Sequence, residues 1–153
     1  MADDSDILIE LCKEQWAQAR HTETQRATIS NLVILVASGI VAFISQQGLG
    51  LRMLPLTLVL IALGLFGSLV TVKLYELFHY HHDKAKAWQK RLDELHPTAS
   101  ANNLERAAEN EHLRRYPLRR KLRLYALWIV LHVVIAGVGL ILTAIVLAQV
   151  WLN

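Results

Sequence analysis

The sequence predicts an all-α integral membrane protein: three transmembrane helices, a long antiparallel helical hairpin extending into the cytoplasm, and a C-terminal transmembrane helix. Two observations carry this expectation. Three stretches hold no Asp, Glu, Lys or Arg: Ala27 to Leu51, Met53 to Val72, and Leu124 to Asn153, which are 25, 20 and 30 residues long. A bilayer core about 30 Å thick takes roughly 20 apolar residues of helix to cross. Those stretches also make up 75 of the 153 residues, in a chain that is 54% hydrophobic and only 19% charged, with a mean hydropathy of +0.31. What lies outside them is too poor in apolar residues to build a soluble core of its own. A secreted enzyme, a disulfide scaffold and a soluble binding domain are therefore excluded. The expected organisation is a cytoplasmic N-terminal helix (1–27), a two-span hairpin (28–74), a cytoplasmic helical segment ending in a basic run (75–123), and a third span (124–153).

The first helix is expected to run from Ser5 to about Ser45 without interruption, because that stretch contains one Gly and no Pro. Ser5 or Asp4 suits its N-cap, and Asp3 and Asp6 complement the helix dipole. The acidic start lacks the basic region of a signal peptide, so the first span is expected to anchor the chain. Gln46-Gln47-Gly48-Leu49-Gly50 forms the turn, and Pro55 fits the first turn of the second helix. No further Pro occurs until Pro97, so that helix covers about 40 residues and about 60 Å at 1.5 Å per residue. Its second half exceeds the lipid and carries a seam: Leu74, Phe78, His81, Ala85, Trp88, Leu92 and Leu95 alternate by four and three, the heptad spacing of packed helices. The expected partner is Ile7, Leu8, Leu11 and Trp16. Lys84, Lys86, Lys90 and Arg91 are then set to face Asp3, Asp4, Asp6, Glu10 and Glu14. Pro97 to Asn103 breaks the helix, Leu104 to Tyr116 forms a short polar one, and the last helix begins near Pro117.

Orientation follows from Lys and Arg near the span ends. Three precede span one, only Arg52 lies in the 46–54 loop, twelve lie from Lys73 to Arg123, and none follows span three. The N-terminus and 73–123 are therefore expected inside, and the C-terminus outside. Tyr75, Phe78, Tyr80, Tyr125 and Trp128 flank the inner ends, and Trp151 marks the outer one. The run Arg114, Arg115, Arg119, Arg120, Lys121 and Arg123 before span three is read as a lipid- or partner-binding patch for anionic headgroups. It carries no stacking aromatics or reader motif, so no nucleic acid is expected as a partner. Cys12, the single cysteine, has no partner for an internal disulfide and is read as a packed thiol.

No catalytic or nucleotide-binding signature occurs, so neither an enzyme nor a cofactor is expected. His79, His82 and Asp83 can share a helix face and supply part of a zinc site. A closed site needs four ligands and no matching cluster stands elsewhere, so no metal is expected; the histidines are assigned to interfacial packing or a pH-responsive seam. The spans say more. Asn31, Ser38 and Ser45 stand seven apart in span one, with Thr24 continuing the line, and Thr57, Gly64 and Thr71 stand seven apart in span two. His132, Ala136, Gly139 and Thr143 share a face of span three. Stripes of small and hydroxylated residues let membrane helices approach and bond. The sharper alternative makes Asn31, Ser38, Ser45, Thr57, Thr71 and His132 candidate pore-lining residues. Three helices cannot enclose a conduit, so that alternative requires a homo-oligomer.

The segments around the spans carry a resemblance. Gln15-Trp16-Ala17-Gln18-Ala19-Arg20 and Arg26-Ala27-Thr28 lead into span one. Tyr75-Glu76-Leu77-Phe78-His79-Tyr80-His81 follows span two and leads to Ala85-Lys86-Ala87-Trp88 and Arg91-Leu92-Asp93-Glu94-Leu95. This resembles small bacterial membrane proteins of the SLATT and retron-effector type, and is similar to the RipA-like oligomeric membrane proteins. The likeness covers roughly residues 5–96, and span three is an addition to the two-span pattern. It implies a bacterial inner-membrane effector in antiphage defence, silent until a separate sensor protein triggers it, that then permeabilises the membrane and arrests growth. The competing expectation is a non-conducting membrane-anchored scaffold that recruits a cytoplasmic partner through 73–123.

Overall fold

The computed structural model describes residues 3–97, 101–116 and 124–152. Among the described residues there are four helices, α1 (Asp4–Gln47), α2 (Leu54–Leu95), α3 (Ala101–Arg115) and α4 (Leu124–Leu152), with a 3-10 turn at Leu51–Met53 before α2. The described residues contain no strand. Helices α1, α2 and α4 each hold a stretch long and apolar enough to cross a membrane. The start of α1 lies one residue earlier than the capping pattern suggested. Asp3 accepts from the amides of Asp6 and Ile7 through its backbone carbonyl, at 2.9 and 3.2 Å, while the Ser5 hydroxyl is engaged elsewhere. At the far end, Gly48 has φ +79. That left-handed conformation costs a side-chain-bearing residue but not glycine, and it stops the helix and opens the turn.

The chain divides into two compact units. The first combines residues 25–73 with 124–153 and contains the apolar parts of α1, α2 and α4. Buried positions along α1 recur at Arg26, Ser30, Val33, Ala37 and Ile44; along α2 at Thr57, Leu60, Gly64, Gly67 and Thr71; along α4 at His132, Ala136, Gly139 and Val146. Spacings of three, four and seven along these helices are those of packed α-helices. Ala37, Ile44 and Leu60 form the apolar centre, with Ile40, Leu56, Ile135 and Leu142 packed on it. Helices α2 and α4 cross very closely. A Cβ added to Gly64 would lie 2.6 Å from the His132 carbonyl and 2.7 Å from the Ala136 Cβ; one on Gly139 would lie 2.8 Å from the Ile61 amide. Real Cβ atoms do not sit that close, so the crossing depends on hydrogen at these positions.

The second unit combines residues 1–24 with 74–123. Here α1 and α2 run antiparallel. Ser5 Oγ meets His96 Nε2 at 2.8 Å, the Cys12 thiol donates to the Ala85 carbonyl at 3.4 Å, and His81 Nδ1 meets Gln15 Oε1 at 2.7 Å. The Trp16 and His82 rings meet edge-on at 5.2 Å. Ala85 is fully buried, while Leu74, Phe78, His81, Trp88 and Leu92 are half-buried; Leu95, at the end of the seam, is exposed.

The expected partner face on α1 needs correction. Leu8 and Trp16 lie on the seam, but Ile7 and Leu11 are exposed, and Cys12, Gln15, Ala19 and Thr22 take the inner positions. The cross-hairpin ion pairs are not formed among the described residues. Lys86 reaches Glu105 of α3 at 3.3 Å, Arg91 reaches Glu94 on its own helix, and Lys84 sits over the Tyr80 ring. On α1, Lys13 pairs with Glu10 and Gln18 donates to Glu14. Short-range partners on the same helix need little side-chain ordering, which favours them over longer cross-helix reaches.

Candidate functional site

The six pore-lining candidates separate into two sets. His132 is fully buried, and so are Thr57 and Thr71. Asn31, Ser38 and Ser45 are exposed along one stripe of α1. The buried set lies inside the packing of a single chain, which corrects its placement on a shared polar path. What it does is hold helices together.

His132 sits about two turns into α4, where Gly67 of α2 leaves room for its ring. A Cβ on Gly67 would fall 2.6 Å from His132 Cε1 and 2.7 Å from Cγ. His132 Nε2 lies 3.1 Å from the hydroxyl of Ser30 on α1. Its Nδ1 is buried without a hydrogen-bond partner. Gly67, which the Nδ1 edge faces, offers only a Cα–H there. An uncompensated lone pair against C–H is less costly than an uncompensated N–H, so the favoured tautomer has Nε2–H donating to Ser30 and Nδ1 bare. One side chain thereby joins α1, α2 and α4. Spacing alone left Ser30 unmarked, since the Asn31 line next to it draws attention to the outer face. Arg26, one turn before Ser30, is also buried, although its charge counted only toward orientation in the sequence. The signal was available: 26, 30, 33 and 37 share the period of the buried face.

Further along the same unit, Thr57 donates to the Leu54 carbonyl at 2.9 Å, and its oxygen accepts from Thr143 of α4 at 2.8 Å. The Gly139 carbonyl, also 2.8 Å away, is a second acceptor for the Thr143 hydroxyl. The two hydroxyls thus pair inside an apolar interface with neither left bare.

Ser38 and Ser45 of the exposed set border an open groove of about 490 Å³ between α1 and α4. Ala37 and Leu60 form its floor, Ile135 and Val138 its far wall, and Ser38 and Ser45 supply its only hydroxyls. Ser38 donates to the Ile34 carbonyl at 2.6 Å, which leaves its oxygen free to accept. In the second unit, Arg114 and Arg115 are exposed and both reach Glu111, at 3.3 and 3.2 Å. Arg119, Arg120, Lys121 and Arg123 lie outside the described residues.

Set beside known protein families, characterised proteins and solved structures, the chain matches none of them.

Proposed function

We propose that this chain is an oligomeric effector of the bacterial inner membrane, with its N-terminus inside and C-terminus outside, which permeabilises or depolarises the membrane in antiphage defence by growth arrest. The observation that carries the reading is the exposed line Asn31, Ser38 and Ser45. Internal helix packing takes up Ser30, Thr57, Thr71 and His132, yet leaves these three exposed, with Ser38 and Ser45 beside an open groove. A carboxamide facing hydrocarbon costs several kcal/mol unless something polar covers it. Neighbouring copies, and the water path they enclose, supply that cover. The bacterial setting, the defence role and the separate sensor rest on the resemblance of residues 5–96; orientation rests on the twelve cationic residues between spans two and three.

Expression in a bacterial host with a potential-sensitive dye tests the reading. Triggered cells should depolarise, and Asn31→Leu and Ser38→Leu should abolish the response while the protein still inserts. An unchanged potential under every trigger, or full activity in both variants, overturns it.

A second reading is favoured by α3. Nearly all of its described side chains are exposed, including Leu104 at 69%, as suits a scaffold that recruits a partner through 73–123. Charge reversal at Arg114, Arg115, Arg119 and Arg120 should then abolish function while span substitutions are tolerated.

A further inference from the structure

We propose that His79, His82 and Asp83 form a binding site for a late first-row divalent cation, with zinc, nickel and copper the fitting class. One ligand atom from each of the three lies within 4.8 Å of the others. At positions i, i+3 and i+4 they occupy one face of α2, where neighbouring turns bring side chains together. His82 Nδ1 stands 3.5 Å from Asp83 Oδ1. In a tetrahedral shell with metal–ligand bonds of about 2.0–2.2 Å, adjacent ligand atoms are roughly 3.3–3.6 Å apart. That separation is already the edge of a coordination polyhedron. It is not a hydrogen bond: His82 Nδ1 is buried and lacks a hydrogen-bond partner, a deficit that a bound cation would relieve.

The two rings are held by aromatic neighbours. Phe78 stacks on His82 at 5.8 Å and Trp16 abuts it edge-on at 5.2 Å, while Tyr75 meets His79 edge-on at 4.4 Å. His81 turns its Nδ1 to Gln15 and His96 its Nε2 to Ser5, and neither ring joins the cluster of ligand atoms. His79 and Asp83 are exposed, so both can turn the remaining distance onto an ion. Two imidazoles and one carboxylate suit zinc and its neighbours better than calcium or magnesium, which prefer all-oxygen shells. Three protein ligands leave one position for water, so the site binds metal without a second cluster in the sequence. It does not bridge helices; its link to α1 is the Trp16 ring against His82.

The test uses full-length protein in detergent, purified without a polyhistidine tag. Zn²⁺ alone, followed by calorimetry, should bind saturably at one ion per chain, and the double variant His79→Ala, Asp83→Asn should weaken binding by about tenfold or more. Both positions are exposed, so this variant keeps the hairpin, as its helical circular dichroism will verify. Cu²⁺ should quench tryptophan fluorescence at the same stoichiometry, and Trp16→Phe should remove that quenching. Absence of saturable binding, or binding undiminished in the double variant, overturns the proposal.

Discussion

The Ser30–His132 hydrogen bond makes a specific demand on residue chemistry. Ser30→Ala leaves both ring nitrogens without a partner in an apolar interface. Hydrogen bonds between membrane helices contribute about 0.6–2 kcal/mol, and thermal unfolding in detergent should register a loss of that order. Asn31→Ala, next to it on the outer face, removes no hydrogen bond within the chain and should leave the unfolding of the dissociated monomer unchanged, which separates the internal stripe from the exposed one. Cys12 gives a pH-dependent readout. Burial of its thiol, which donates to the Ala85 carbonyl at 3.4 Å, pushes its pKa up. Folding therefore favours the protonated thiol, and the stability it contributes is present below the unfolded-state pKa and lost as pH rises through the folded value. Alkylation of Cys12 by a maleimide near pH 7.5 should be several-fold slower than that of free cysteine, whose pKa is about 8.5. A rate equal to free cysteine would contradict its packed position.

Among elements, the α2–α4 crossing is the least tolerant of change. Gly64→Leu or Gly139→Leu should separate the two helices and lower the unfolding midpoint sharply, at a cost of about 1–3 kcal/mol or more; Gly137, which has open space around it, should accept alanine without effect. Helix α3 is different: nearly all of its described side chains are exposed, the Lys86–Glu105 pair that reaches α2 is half-exposed, and exposed pairs contribute about 0–1 kcal/mol. Amide exchange in α3 should accordingly be much faster than in α2, and Lys86→Ala should change stability little. The spans and the seam on α2 were legible in the sequence because both are periodic: charge-free runs of bilayer length, and apolar residues at alternating three and four. The inner face of α1 was harder to see. Ile7, Leu8, Ile9 and Leu11 place apolar groups on several faces, and local composition cannot choose among them. The choice follows helix phase. Counting back from Ala37 and Val33 through Ser30, Arg26, Thr22 and Ala19 leads to Gln15, Cys12, Leu8 and Ser5, three of which are polar or weakly apolar. Charge pairing misled for another reason, since opposite charges in neighbouring segments find partners on their own helix first.

For the whole molecule, burial separates an inner polar stripe from an outer one. The three apolar helices use their small and hydroxyl-bearing faces against each other through Gly64, Gly67, Gly139, Thr57 and His132, and α1 still presents Asn31, Ser38 and Ser45 outward. The outer stripe is marked in the sequence by its strict spacing of seven and the inner one by the three-and-four period of 26, 30, 33 and 37; the three-dimensional phase of α1 against α4 decides which of them is buried. Whether further copies cover the outer stripe decides the proposed oligomer. Native mass spectrometry of the full-length chain released from lipid nanodiscs measures this directly. Copies packed over the outer stripe give a closed multimer of defined stoichiometry that Asn31→Leu with Ser38→Leu dissociates; a monomer for the unaltered chain, with Asn31 facing lipid alone, would overturn the oligomeric reading.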